Sequence, residues 1–163
     1  MVRGRALETR YGSLEARGRS LEARRGLEAR EAGEPFAAQA VDVLAAAAAS
    51  VVWDWSKVAL VANADGALPG IQTYALLIWN GRGFEGWMPA EATEDLNRVL
   101  ARWRAELERL SRPVWAALFV GVVNDRGRLR SRWIVADDGD FDAWRIRLGE
   151  SNVPMAERGL AGL

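Results

Sequence analysis

The sequence predicts an α+β domain of αββαββ order: an antiparallel sheet of at least four strands with helices packed on one face. Three observations carry that expectation. Residues 93–110 repeat apolar side chains at helical spacing, and residues 112–135 read as two strands around a tight turn. Ahead of both, an alanine-rich run is followed by two short β-rich runs. Runs of these types in this order describe one layer of helices on one sheet.

The chain opens with a different material. The unit LEAR occurs at Leu14–Arg17, Leu21–Arg24 and Leu27–Arg30, with a degenerate LETR at Leu7–Arg10. A coiled coil needs apolar residues at both a and d positions, and here each heptad has one. Gly12, Gly18 and Gly26 interrupt it, and each glycine costs ~1 kcal/mol inside a helix. Residues 1–34 are therefore expected to form a poorly ordered extension, dispensable to a single domain spanning 35–163. Pro35 suits the first turn of a helix. That helix runs from Phe36 to about Val52, with Phe36, Ala40, Val43 or Leu44, Ala47 and Val51 as its apolar face.

Lys57 to Ala62 and Gln72 to Trp79 read as an antiparallel strand pair, separated by the turn-prone Asn63-Ala64-Asp65-Gly66 and Pro69-Gly70. Gly81, Gly83 and Gly86 match G-x-G-x-x-G. A dinucleotide site needs a helix to open there, and Trp87-Met88-Pro89 intervenes, so a surface loop is the expectation. Thr93 is a candidate N-cap for the second helix, whose apolar face is Leu96, Val99, Leu100, Trp103, Leu107 and Leu110. Val114 to Val123 is almost wholly apolar, as a strand buried on both faces requires. Asn124-Asp125-Arg126-Gly127 supplies the turn. The fourth strand then alternates Arg128, Arg130 and Arg132 with Leu129, Ser131, Trp133 and Val135. The arginines read as the solvated face of an edge strand. Phe141, Trp144, Ile146 and Leu148 continue as a strand or strap, and residues 151–163 as a last helical turn.

Composition removes several chemistries. The 163 residues include neither cysteine nor histidine, so there is no thiolate nucleophile, no disulfide, and none of the usual zinc sets or Ser-His-Asp triads. Lys plus Arg equals Asp plus Glu at 22 each, which gives no reason to expect nucleic-acid binding. The longest apolar stretch, Val43 to Trp53, is far short of the ~20 residues of a membrane span. No secretory signal is legible at the start, and a cytoplasmic protein is expected.

Between Asp137 and Asp142 stand four aspartates, the densest charge cluster in the chain. Counted as an EF-hand loop from Asp138, position six is Ala143 and position twelve Gly149, where calcium binding wants glycine and glutamate. Neither a metal nor any other cofactor is expected. Paired acids are able to hydrolyse glycosides, but no acid pair here has that setting, and no catalytic residue is assigned.

The element order, the run Trp53-Asp54-Trp55-Ser56-Lys57-Val58-Ala59-Leu60 before the first strand, and Pro113-Val114-Trp115 with Ala117 entering the third are similar to the YezG-like family of bacterial immunity proteins. So is a strand leading into Asp137–Asp142. The resemblance covers about residues 36–150. It implies an antitoxin that binds and blocks a cognate toxin, a nuclease in many cases, with no activity of its own. The chain departs from the family in its repeat extension and in Trp133-Ile134-Val135 ahead of the aspartates. The matching surface would be Asp137, Asp138, Asp140 and Asp142, extended by Glu85, with Phe84, Trp87 and Phe141 as aromatic anchors. An adaptor domain with another partner, or a carboxylate-dependent hydrolase, remains the alternative, and the oligomeric state is left open.

Overall fold

Two runs, Val58–Ala62 and Ala117–Val120, are apolar at every position, and such runs are stable only where both faces of a sheet are covered. They become the central strands. The computed structural model describes residues 5–64, 73–80, 83–84, 90–137, 139–146 and 150–163. Its elements are α1 (Arg5–Val51), β1 (Trp55–Asn63), β2 (Thr73–Asn80), a two-residue β3 (Gly83–Phe84), α2 (Ala90–Arg109), β4 (Ala117–Asp125), β5 (Arg128–Ala136), a 3-10 turn (Phe141–Trp144) and α3 (Val153–Leu160). Setting aside the short β3 and the C-terminal segment, this is the expected αββαββ order. Every strand pair is antiparallel, and the spatial order is β3-β2-β1-β4-β5.

The period of two sends alternate residues of β1 and β4 to opposite faces. Val58, Leu60, Leu118, Val120 and Val122 meet α1 and α2 on one face, as expected. Ala59, Val61, Ala117 and Phe119 face the other way and are covered by Trp144, Ala156 and Leu160. The residues after β5 thus supply a second, smaller core, with Phe119 and Trp144 rings 5.2 Å apart. Their approach depends on glycine. A Cβ on Gly159 would stand 2.5 Å from the Phe119 ring, and one on Gly121 would stand 2.7 Å from Leu160.

Several boundaries differ from those expected. α2 begins at Ala90, so Thr93 lies inside its first turn and does not cap it. Asn63 ends β1 as a buried residue where a turn was expected. The buried face of α1 is Ala37, Ala40, Leu44, Ala47 and Ala48, while Val51 is exposed. Gly83 and Phe84 pair with Asn80 and Trp79 as a strand and not as the start of a helix; the rest of the glycine-rich run lies outside the described residues. The β4–β5 turn is as expected, with Arg126 and Gly127 both at positive φ (52° and 89°) as a two-residue hairpin of the primed type requires. Of the arginine row, Arg128 and Arg130 are exposed, whereas Arg132 donates to the carbonyls of Gly159 and Ala161 at 3.3 and 2.7 Å and so caps α3.

The largest difference is at the start. No break occurs at Gly33-Glu34-Pro35: the repeat segment and the alanine-rich segment form one helix of 47 residues with Pro35 inside it. A proline inside a helix costs about 3 kcal/mol, and docking of the turn before it supplies the offset. Ala29 and Ala32 pack on the main core, Gly33 is buried, and Glu28 pairs with Arg112. Gly33 matters because a Cβ there would lie 2.8 Å from the indole of Trp103. Two leucines of the repeat do not dock: Leu21 and Leu27 are each more than half exposed.

Gly26 and Gly33 therefore respond oppositely to alanine. Gly33→Ala forces the Trp103 ring aside and is expected to lower stability by about 1–3 kcal/mol. Gly26→Ala meets nothing within 4 Å and is expected to raise it by about 0.5–1 kcal/mol. Urea unfolding of both variants measures the pair, and equal effects would contradict the docked helix.

Candidate binding site

β1 runs from Trp55, opposite Asn80 of β2, to Asn63, opposite Ala117 of β4; Ala117 in turn pairs with Ala136 at the end of β5. The acidic loop after Ala136 therefore sits at the Asn63 end of the sheet. Phe84 of β3 is at the other end and on the other edge. Phe84 is level with Lys57 through Trp79, so strand length alone separates it from the Asn63 end by roughly 20 Å, at about 3.4 Å per residue. The residues expected to share one surface are thus divided. Phe84 lies away from the aspartates, and Glu85, Trp87 and Asp138 lie outside the described residues.

At the acidic end the backbone is fixed from below. Asn63, buried at the last position of β1, donates Nδ2–H to the carbonyl of Trp144 at 2.9 Å and accepts the Ile146 N–H at 2.8 Å. One amide side chain so ties the strap to the sheet across more than eighty residues of sequence. Asp137 folds the turn itself: its Oδ1 accepts from the amides of Gly139 and Asp140 at 2.9 and 3.3 Å. Asp140 is exposed and forms no ion pair with any described residue. Asp142 is also exposed and pairs with Arg145 at 2.9 Å. Phe141 is half-buried against the second core, with the Arg145 guanidinium 4.9 Å from its ring, so it serves the strap more than a contact surface. No group of three or more acidic residues among those described is gathered closely enough to hold a metal ion.

Beside this loop lies a cleft of about 300 Å³, whose walls include Arg30, Trp103, Trp115, Trp133, Asp137 and Asp140. Its aromatic side is built by register. Trp133 pairs with Val120, so it projects to the α1–α2 face, where Trp103 of α2 meets it edge-on at 5.2 Å. Trp115, just before β4, meets Trp103 edge-on at 6.2 Å. Trp103 and Trp115 are buried and Trp133 half-buried. The Arg30 guanidinium lies 4.8 Å from the Trp133 ring, and that of Arg104 lies 5.0 Å from Trp115. Burial lowers the pKa of Arg104, with Glu108 acting against it. The indole Nε1 of Trp115 is buried and has no hydrogen-bond partner. A larger hollow of about 660 Å³ between α1 and α2 is less promising. Both of its arginines are already engaged, Arg98 with Asp95 and Arg102 with Gln39.

Sequence reading found the aspartates and placed Trp103, Trp115 and Trp133 on core elements, but it did not join them. Arg30 was set aside with the extension. Trp53, 92% exposed at the α1–β1 corner, was noted only as part of a motif, and it stands at the end of the sheet away from the acids. No helix among the described residues is long and apolar enough to cross a membrane. No protein-family model matches the chain, and no curated protein matches it.

Replacing Asn63 by leucine leaves the Ile146 amide without its acceptor and the Trp144 carbonyl without its donor. The expected cost is about 1–3 kcal/mol in unfolding free energy. Hydrogen exchange at Ile146 should accelerate well beyond that at Val120. Unchanged exchange at Ile146 would show that the strap does not depend on this amide.

Proposed function

We propose that the chain is a binding protein of the immunity type, which occupies a basic surface of a protein partner and blocks it. The observation that carries this reading is the set of exposed carboxylates at 137, 140 and 142, held on a segment that Asn63 fixes to the sheet. A charged surface that is already ordered loses little entropy on association, and its charge speeds encounter with an oppositely charged site. A phosphate-binding cleft of a nuclease is such a site, and the family resemblance of the sequence supplies that partner class. The toxin would be met in the cytoplasm. The chain acts here by occlusion, with no reaction of its own.

The test uses the full chain and a variant in which Asp137, Asp138, Asp140 and Asp142 are all changed to Asn. A basic protein captured by the natural chain should associate about tenfold more slowly with the variant at low salt, and the difference should shrink as salt rises. Equal rates for the two chains would remove the acidic end from the binding surface.

A further inference from the structure

The cleft beside the acidic loop is already half of an arginine site. On its aromatic side Arg30 lays a guanidinium 4.8 Å from the centre of the Trp133 ring, a cation–π distance. On its anionic side stand Asp137 and Asp140, and neither forms an ion pair with Arg30 or with any other described residue. One Asp137 oxygen is taken up by backbone amides, whereas no described residue engages either oxygen of Asp140, which makes Asp140 the freer acceptor. The aromatic and anionic halves are therefore satisfied by no single group among the described residues. Trp115, a further wall of the cleft, carries a buried N–H that lacks an acceptor; the backbone carbonyl of an entering residue, not a guanidinium, is able to supply one.

We propose that this cleft receives an arginine side chain of the partner protein, which takes the place of Arg30 over Trp133 and pairs with Asp140. The proposal rests on the binding reading above and specifies the chemistry of that same site. Arginine fits better than lysine. Its planar guanidinium stacks on an indole while its edge still donates two parallel hydrogen bonds to a carboxylate, whereas an ammonium is a point charge that is more strongly hydrated. Arg30 is suited to be displaced: it is exposed, and its helix stays docked through Gly33, Ala32 and the Glu28–Arg112 pair when the guanidinium leaves.

The probe is N-acetyl-arginine amide, titrated into the full chain while the indole N–H signals of Trp133 and Trp115 are followed by NMR. Saturable shifts confined to these indoles are expected. Removing the internal competitor in Arg30→Ala should tighten binding about three- to fivefold, the equivalent of one exposed cation–π contact. Asp140→Asn should weaken it by a similar factor, and N-acetyl-norleucine amide should produce no shift. Arg30→Gln, which keeps an aliphatic stem on the helix, repeats the measurement if the alanine variant does not fold. Absence of saturable shifts in both the natural chain and a folded Arg30 variant would overturn the proposal, as would equal affinity for N-acetyl-lysine amide. The two readings fail separately: a partner whose capture depends on the aspartates, together with a silent probe, removes the arginine cleft and leaves the acidic surface.

Discussion

Trp103 holds the helical layer to the sheet, and most of the structure depends on that contact. It is 1% exposed, and its ring meets α1, β5 and the entry to β4: Phe36 of α1 stacks on it at 6.2 Å, Trp115 and Trp133 meet it edge-on, and Gly33 lets the α1 backbone approach it. Edge-to-face pairs of this kind add about 0.5–1.5 kcal/mol each beyond the area they bury. The gain here is more than additive packing, because one side chain sets the angle of α1, the position of the entry to β4 and the rotamer space of β5. The cleft is a by-product of that arrangement. Three indoles that meet edge-on cannot close against each other completely, and the gap opens beside the aspartates.

Much of the fold was legible because its elements carry their period in consecutive residues. α2 shows six buried positions at helical spacing, and the β4–β5 hairpin pairs an apolar run with an alternating one across a glycine turn. What was not legible depends on partners distant in sequence. Residues 28–33 read as part of an extension because their own pattern is poor; they are ordered by Trp103 and Arg112, seventy or more residues away. α3 is short and contains Pro154 and Gly159, a weak helix by propensity, and it forms against Phe119 and under the Arg132 cap. The buried role of Asn63 has the same origin, since an asparagine at a strand end reads as a turn residue until its partners at 144 and 146 are known.

The candidate site shows the same division. The aspartates were found because four acids in six residues need no context to be noticed. Their separation from Phe84 follows only from strand order and direction, and single-strand patterns do not contain either. Reading β1 and β2 as a hairpin was correct, yet the position of the β4–β5 pair beside β1 decides which loops share an end of the sheet.

The electrostatics of the acidic end follow from where its arginines rest. Arg145 and Arg158 follow it in the chain, but only Arg145 pairs with one of its acids, Asp142. Instead the Arg158 guanidinium sits 4.8 Å from the Trp144 ring and donates to the Ala143 carbonyl, while Arg145 divides itself between Phe141 and Asp142. Both cations are engaged in holding the strap to the second core, on the sheet face opposite α1 and α2. Asp140, lining the cleft on the helical face, gains nothing from them beyond a screened long-range term. A carboxylate with no ion pair to any described residue is open to a cation that enters the cleft, and the aromatic wall opposite favours an entering cation that is flat. The chain's own Arg30 satisfies one of these two conditions, which is why an arginine delivered from outside, able to satisfy both at once, is the stronger ligand.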